Sequence, residues 1–200
     1  MSVATDTTVT TGDGRRATSA AHLSRVGLQL FFEHGFDETT VDEIADAAGI
    51  GRRTFFRYFA SKNDLPWGDF DALVAQMRQR LSQTSDEVPL VDALRDAVIA
   101  FNTYPPEELL PLRQRMELLL RVPSLVAHSA LRYESWRQVI AEYVARRCHL
   151  DEDDLEAQVV AWTLLATSLA AYEEWLRHED ADLLDVLDRA IRQVGTTFGG

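Results

Sequence analysis

From Ser19 onward, apolar residues recur at steps of three and four, and no segment alternates as a half-buried strand would. Leu23, Val26, Leu30 and Phe31 share one face of a first predicted helix that stops at Gly35. A second helix opens with Thr40 as N-cap and Glu43 three residues on, the spacing of a capping box. Its apolar face is Val41, Ile44, Ala45 and Ala48, and Gly49 then supplies the left-handed residue of a sharp turn. A short third helix follows, and further helices are expected at about 62–84, 89–103, 107–121, 124–149, 152–178 and 181–197. Pro89, Pro105-Pro106, Pro123-Ser124, the acidic run Asp151–Asp154 and the stretch 178–182 mark the breaks. The expected fold is all-α with about nine helices: an N-terminal three-helix bundle carrying a helix-turn-helix, and a larger helical C-terminal domain.

The stretch 39–65, TTVDEIADAAGIGRRTFFRYFASKNDL, has the spacing of a helix-turn-helix DNA reader. In that motif the second helix enters the major groove by its N-terminal end, here Gly51-Arg52-Arg53-Thr54-Phe55-Phe56-Arg57-Tyr58-Phe59. Phe55 and Phe59 fall four apart and can face the core, which sends Arg52, Arg53, Thr54 and Arg57 outward. Arginine forks suit guanine or phosphate, and threonine suits a phosphate or a thymine methyl. Ser61 with Asp64 repeats the capping-box spacing, and Lys62, the sole lysine, stands where an ammonium group could clamp a phosphate. The expected DNA-contacting set is Thr40, Gly51, Arg52, Arg53, Thr54, Arg57, Tyr58 and Lys62, with base contact assigned to Arg52, Arg53 and Thr54.

The helix expected at 152–178 carries two apolar faces. Leu155, Val159, Trp162, Ala166, Leu169 and Leu176 form one, and Ala161, Leu165, Tyr172 and Trp175 the other. The last helix adds Leu183, Leu187, Ala190, Ile191, Val194 and Phe198. Two such helices from each of two subunits would build a four-helix homodimer interface through Leu155, Val159, Trp162, Ala166, Leu169, Leu176, Leu187, Ile191 and Val194. Both could equally be central helices of a monomer.

Charge restricts where a nucleic acid could sit. The net charge is −12, yet residues 15–65 hold seven basic and seven acidic side chains, while residues 66–200 hold 13 basic and 23 acidic. Polyphosphate is repelled by that body, so contact is confined to the N-terminal module. Residues 1–17 are poor in large apolar side chains and read as a disordered tail, whose Arg15 and Arg16 form either a groove-reaching arm or a solvated end. The chain is 46% hydrophobic, has no run long enough to span a bilayer and no signal-peptide core, so a cytoplasmic protein without membrane contact is expected. Cys148 stands alone, which precludes an internal disulfide. The five histidines show no metal-ligand spacing, and neither a phosphate loop nor a nucleophile elbow occurs. No enzyme activity, cofactor or metal is expected.

With those residues in hand, the chain resembles the TetR family of bacterial repressors from about 19 to 197. Ala48-Gly49-Ile50, Thr54, Phe59, Ser61-Lys62 and Asp64-Leu65 carry the likeness. It departs at Gly51, where the family's capping serine is usual, and at Phe56, where a phosphate-touching tyrosine is usual. GRRTFFRYF, SKND, Trp67–Asp71, VPSLVAHSALRYESW and AAYEEW are similar to one subgroup, the regulators associated with the mycofactocin redox-cofactor system. The resemblance implies a DNA-binding head at 18–65 and an effector and dimerisation domain at 66–198. It also implies a homodimer on a palindromic double-stranded operator, released by a small-molecule effector, acyl-coenzyme A for this subgroup.

Candidate effector-pocket residues are Trp67, Phe70, Phe101, Tyr104, Arg115, Met116, Arg121, Tyr133, Trp136 and Arg137. Each aromatic or apolar member, taken singly, reads first as plain core and only then as ligand wall. Arg113, Arg115, Arg121 and Arg137 could bind an anion or close local salt bridges, Arg113 or Arg121 with Glu117 and Arg137 with Glu134. The competing reading of the whole chain is a helical ligand-binding or protein-interaction protein whose helix-turn-helix does not function.

Overall fold

The computed structural model describes residues 19–198, with side chains through Gly195; the expected tail at 1–17, with Arg15 and Arg16, and the Phe198 side chain lie outside the described residues. Nine α-helices occur among the described residues and no strand does. They are α1 (Ala20–His34), α2 (Val41–Ala47), α3 (Arg52–Tyr58), α4 (Phe70–Gln83), α5 (Leu90–Phe101), α6 (Leu109–Arg121), α7 (Pro123–Cys148), α8 (Leu155–Arg177) and α9 (Leu183–Phe198). None is long and apolar enough to cross a membrane.

The local signals of the head act as their chemistry dictates. The Glu43 amide donates to the Thr40 hydroxyl at 3.2 Å and the Thr40 amide to the Glu43 carboxylate at 2.7 Å, closing the capping box of α2. Those bonds hold the Glu43 carboxyl below the usual range. Gly49 takes φ +67, where a side chain would be strained, and turns α2 into α3. Leu23, Phe31, Phe36, Ile44 and Phe55 fill the space between the three helices, so α1 to α3 form one small apolar bundle.

The helix expected at 62–84 is two elements. Ser61 and Asp64 do form a box, but it opens a 3₁₀ turn over Lys62–Trp67 that ends at Gly68 with φ +51. Pro66 contributes no N–H to carry the ladder forward, and the Gly68 conformation redirects the chain into α4. The turn is held from behind by α1: Ser24 Oγ donates to Leu65 O at 2.6 Å, and Leu65 fills the hollow left by Gly27. A Cβ on Gly27 would come within 2.7 Å of the Leu65 side chain.

In the body, α8 packs on both α7 and α9, and α7 also covers α4 and α6. Trp136, Val139, Ile140 and Val144 of α7 are buried, as are Ala157, Ala161 and Leu165 of α8 and Leu187 and Ile191 of α9. Each such Leu or Ile is worth roughly 1.5–3 kcal/mol relative to exposure. Arg113 reaches back to the end of α8, donating to Trp175 O at 2.7 Å with its guanidinium 4.1 Å from the Trp175 ring centre. It thereby adds a second donor to a carbonyl at the helix end that the His178 amide also reaches, at 3.3 Å. This is its role instead of a Glu117 pair, which Arg121 makes at 2.7 Å.

Candidate nucleic-acid interface and its link to an interior cavity

The interface side of the head is built by α3. Phe55 is buried and Phe59 nearly so, with ring centres 5.9 Å apart, which anchors one face of the helix. Arg52, Arg53 and Arg57 are exposed on the other, and Thr54 is half-buried at its edge. Gly51 is the N-cap without a side-chain hydrogen bond, and Phe56 stays exposed over the edge of Phe55. Arg52 is held by Asp42 of α2 at 2.8 Å, an exposed pair that a phosphate or base can compete for. Arg57 lies 5.2 Å from the Tyr58 ring centre, and both are exposed. Thr40 sits exposed at the start of α2, its hydroxyl engaged with Glu43 at 2.8 Å. Arg53 is exposed and forms no ion pair among the described residues.

Lys62 departs from the expected phosphate clamp. Its ammonium donates to Phe36 O at 2.7 Å, Thr39 O at 2.9 Å and Asp37 O at 3.2 Å, and lies 4.6 Å from the Phe36 ring centre. An ammonium has three donors, and all three are spent on the loop that precedes α2. Lys62 is a staple between the 3₁₀ turn and the helix-turn-helix.

Two residues further on, Asp64 ties the same turn to the body. Its carboxylate accepts from Ser61 N at 2.9 Å, from His128 Nε2 at 3.0 Å and from Arg132 at 3.1 Å, the last two on α7. Arg132 also bonds Asp71 at the start of α4, at 2.9 Å. Burial alone would raise the Asp64 carboxyl, but the bonds from Arg132, Ser61 and His128 outweigh it and hold the group below the usual range.

The far end of the turn forms the wall of a cavity. Its interior space is about 70 Å³, lined by Pro66, Trp67, Phe70, Leu73, Phe101, Tyr104, Leu112, Arg115, Met116, Leu119, Tyr133, Trp136, Leu165, Leu169 and Tyr172, with Asn102 and Ser168. Trp67 packs edge-on to Phe70 at 4.9 Å and to Tyr133 at 5.5 Å between ring centres. The structure thus gathers Trp67, Phe70, Phe101, Tyr104, Arg115, Met116, Tyr133 and Trp136 around one space. It does not bring Arg121 or Arg137 there. Arg121 is exposed with Glu117, and Arg137 stacks 3.7 Å from the Trp162 ring centre on the outer side of α7, not on Glu134. Tyr172 and Leu165 reach the cavity from the second apolar face of α8, a periodic signal already legible; nothing in the sequence marked Asn102, which accepts the Tyr172 hydroxyl proton.

The apolar surface proposed for a second copy is smaller than the periodicity suggested. Leu155, Val159 and Trp162 are 74%, 52% and 55% exposed and lie with exposed Ala166 along one strip of α8. Leu187 and Ile191, by contrast, are buried in this chain's own core, and Leu169 is half-buried against the cavity. Leu176 and Val194 are half-buried. The reason is geometric: α9 lays its apolar face on α8 and α5, which absorbs the side chains a partner would need.

Comparison with known proteins agrees with this architecture. Residues 23–65 match the family model for bacterial regulatory proteins of the tetR family, and residues 88–199 match the MftR C-terminal domain. The chain is 48% identical over 181 residues to a protein named as a mycofactocin biosynthesis transcriptional regulator, MftR, of Mycobacterium tuberculosis, covering 90% of this chain and 91% of that one. It is 30% identical over 169 residues to the transcriptional regulator TcmR of Streptomyces glaucescens, covering 80% and 74%. Among solved structures, the repressor FadR of Thermus thermophilus in complex with lauroyl-CoA aligns with a TM-score of 0.56 and 24% identity, covering 88% of this chain and 93% of that one. At that identity the match speaks for the fold. The chain belongs to the TetR family of bacterial regulatory proteins, with a C-terminal domain of the MftR kind, and is a DNA-binding transcriptional regulator.

Proposed function

We propose that the protein is a cytoplasmic, homodimeric repressor that holds a palindromic operator through α3 and leaves it when an acyl effector, such as an acyl-coenzyme A, enters the cavity. One observation carries this reading. The turn Lys62–Trp67 is pinned to the helix-turn-helix by Lys62, latched to α7 by Asp64, and exposed to the cavity by Trp67. A ligand that displaces Trp67 or Tyr133 therefore acts on the same element that sets the position of the head.

The size of the cavity supplies the force. Ligand sites commonly measure roughly 300–1,000 Å³, and this space of about 70 Å³ is too small for an acyl chain. The effector must part α4, α6, α7 and α8 to enter, so it binds an opened body better than the closed one. A ligand shifts an equilibrium by its differential affinity for two states, and here that difference is steric. Two heads on one duplex need half-sites about one helical turn apart, so a few ångströms of displacement suffice to lose the operator. The strip Leu155–Val159–Trp162–Ala166 supports the homodimer, because exposed large apolar side chains in a row mark an interaction surface.

Base contact is assigned to Arg52, Arg53 and Thr54, with Arg57 and Tyr58 on phosphates and Thr40 and Gly51 near the backbone. Fluorescence anisotropy at low salt against duplexes from the protein's own genomic neighbourhood tests the reading. One fragment bound well above the rest is the expected result, and equal weak binding to all of them contradicts it.

A further inference from the structure

Three residues of the cavity lining carry a buried donor without a partner among the described residues: Trp67 Nε1, Arg115 Nε and Tyr133 Oη. Leaving such a group unsatisfied costs free energy, so three together on one wall require a reason. They are neighbours. The Trp67 and Tyr133 rings meet at 5.5 Å, and the Arg115 guanidinium rests on Gly68, the residue after Trp67, where an added Cβ would lie 3.4 Å from Nη2. Ser129 stands beside the Tyr133 hydroxyl but outside hydrogen-bond geometry, its own proton going to Leu125 O at 2.7 Å.

Apart from the Tyr104 hydroxyl, the other polar side chains around the space are committed within the chain. Tyr172 donates to Asn102, Asn102 Nδ2 to Val98 O at 2.7 Å, and Ser168 to Leu164 O at 2.8 Å. Among the described residues no Asp or Glu lines the cavity, so the Arg115 charge has no counter-ion in that lining. The remaining wall is aliphatic, with Leu73, Leu112, Met116, Leu119, Leu165 and Leu169. One donor-rich end in an apolar enclosure specifies an amphiphile: an acceptor group at one point and a hydrocarbon tail beyond it.

We infer that Trp67, Arg115 and Tyr133 form a subsite for the acyl oxygen of the effector, either a free carboxylate or a thioester carbonyl. This rests on the effector reading above and names the atom through which the effector is held. Burial raises the Tyr133 phenol above its ordinary value, so it keeps a proton to donate. An acceptor bound here touches Trp67 and the Gly68 junction directly, coupling recognition to the turn that carries the head.

Calorimetric titration of the full chain with laurate, lauroyl-CoA and 1-dodecanol tests the subsite, in the wild type and in Arg115→Met, Tyr133→Phe and Trp67→Phe. Helical content by circular dichroism and retained DNA binding identify folded variants, and Tyr133→Phe preserves shape even if Arg115→Met does not fold. The expected result is that Arg115→Met weakens the acyl compounds about tenfold or more, and each aromatic variant about three- to tenfold, with dodecanol changed less than about twofold. A larger loss for laurate than for lauroyl-CoA identifies the carboxylate as the source, and an equal loss identifies the thioester. If every folded variant binds lauroyl-CoA like the wild type, the subsite is overturned while the effector reading stands. If a DNA-binding wild type takes up neither acyl compound, the effector reading falls and the subsite with it.

Discussion

The Asp64 carboxylate accepts a hydrogen bond from His128 Nε2 at 3.0 Å, joining the last turn of the DNA-binding head to α7 of the body. Arg132, one turn along α7, bonds the same oxygen, so a single carboxylate collects two body side chains and the Ser61 amide. Tyr133, adjacent to Arg132, faces the cavity. The residues that latch the head and a residue that lines the cavity thus stand side by side on α7.

Asp64→Asn removes the charge from this latch and should destabilise the protein by about 1–3 kcal/mol in chemical denaturation. The pH dependence has a fixed sign. The folded carboxyl lies below its ordinary value of 3.8, so its contribution is fully present above that value and is lost as pH falls through the lower, folded one. The stability gap between wild type and Asp64→Asn is thus flat from neutrality down to about pH 5 and closes below the ordinary value. A gap that closes between pH 8 and 6 instead would assign the latch to a different group.

Lys62→Met should loosen the head without removing a phosphate contact. Hydrogen bonds to a charged group are worth about 1.5–3 kcal/mol, and here three carbonyls of the loop at 36–39 lose their donor. DNA affinity should fall on all sequences alike, while the slope of log affinity against log salt stays that of the wild type. A slope reduced by about 0.9 would show that Lys62 neutralises a phosphate after all.

Much of the head was legible because its signals are local. Thr40 and Glu43 are three residues apart, Gly49 adopts the backbone only glycine takes freely, and Phe55 and Phe59 face inward as their spacing requires. Pro66 and Gly68 mark the break, but the capping box ahead of them and the apolar rhythm of Phe70, Val74, Met77 and Leu81 beyond them read together as one helix. The fate of Lys62 depends on carbonyls more than twenty positions earlier, which spacing cannot reveal. Likewise, periodicity marks Leu187 and Ile191 as apolar but cannot say whether their cover is α5 and α8 or a second chain. Among the cavity residues, large aromatics on separate helices converged, whereas Arg121 and Arg137 found partners closer by on the surface.

Arg53→Ala should cost about 1–3 kcal/mol on the preferred operator and relax preference at one base position. An equal loss on every duplex, with a shallower salt slope, would make it a phosphate ligand. Asp42→Asn acts in the opposite direction: it frees Arg52 and removes a negative charge beside the duplex, and should raise affinity severalfold.

Val159→Arg or Trp162→Arg places a charge in the exposed α8 strip and should yield folded monomers by light scattering. Leu187→Ala, in the chain's own core, should instead cost about 2–5 kcal/mol of stability and leave the oligomeric state as in the wild type. Dimers that survive both arginine substitutions would place the interface elsewhere.

The central claim is that cavity and head are coupled through the Lys62–Trp67 turn. It is tested most directly by titrating lauroyl-CoA into the protein bound to a fluorescent operator duplex, comparing wild type with Asp64→Asn under conditions where both bind DNA. The account predicts that lauroyl-CoA releases the wild type and that Asp64→Asn, with its latch to α7 cut, takes up the ligand yet needs about tenfold more of it for release. Identical release curves for the two proteins, at equal ligand affinity, would contradict it.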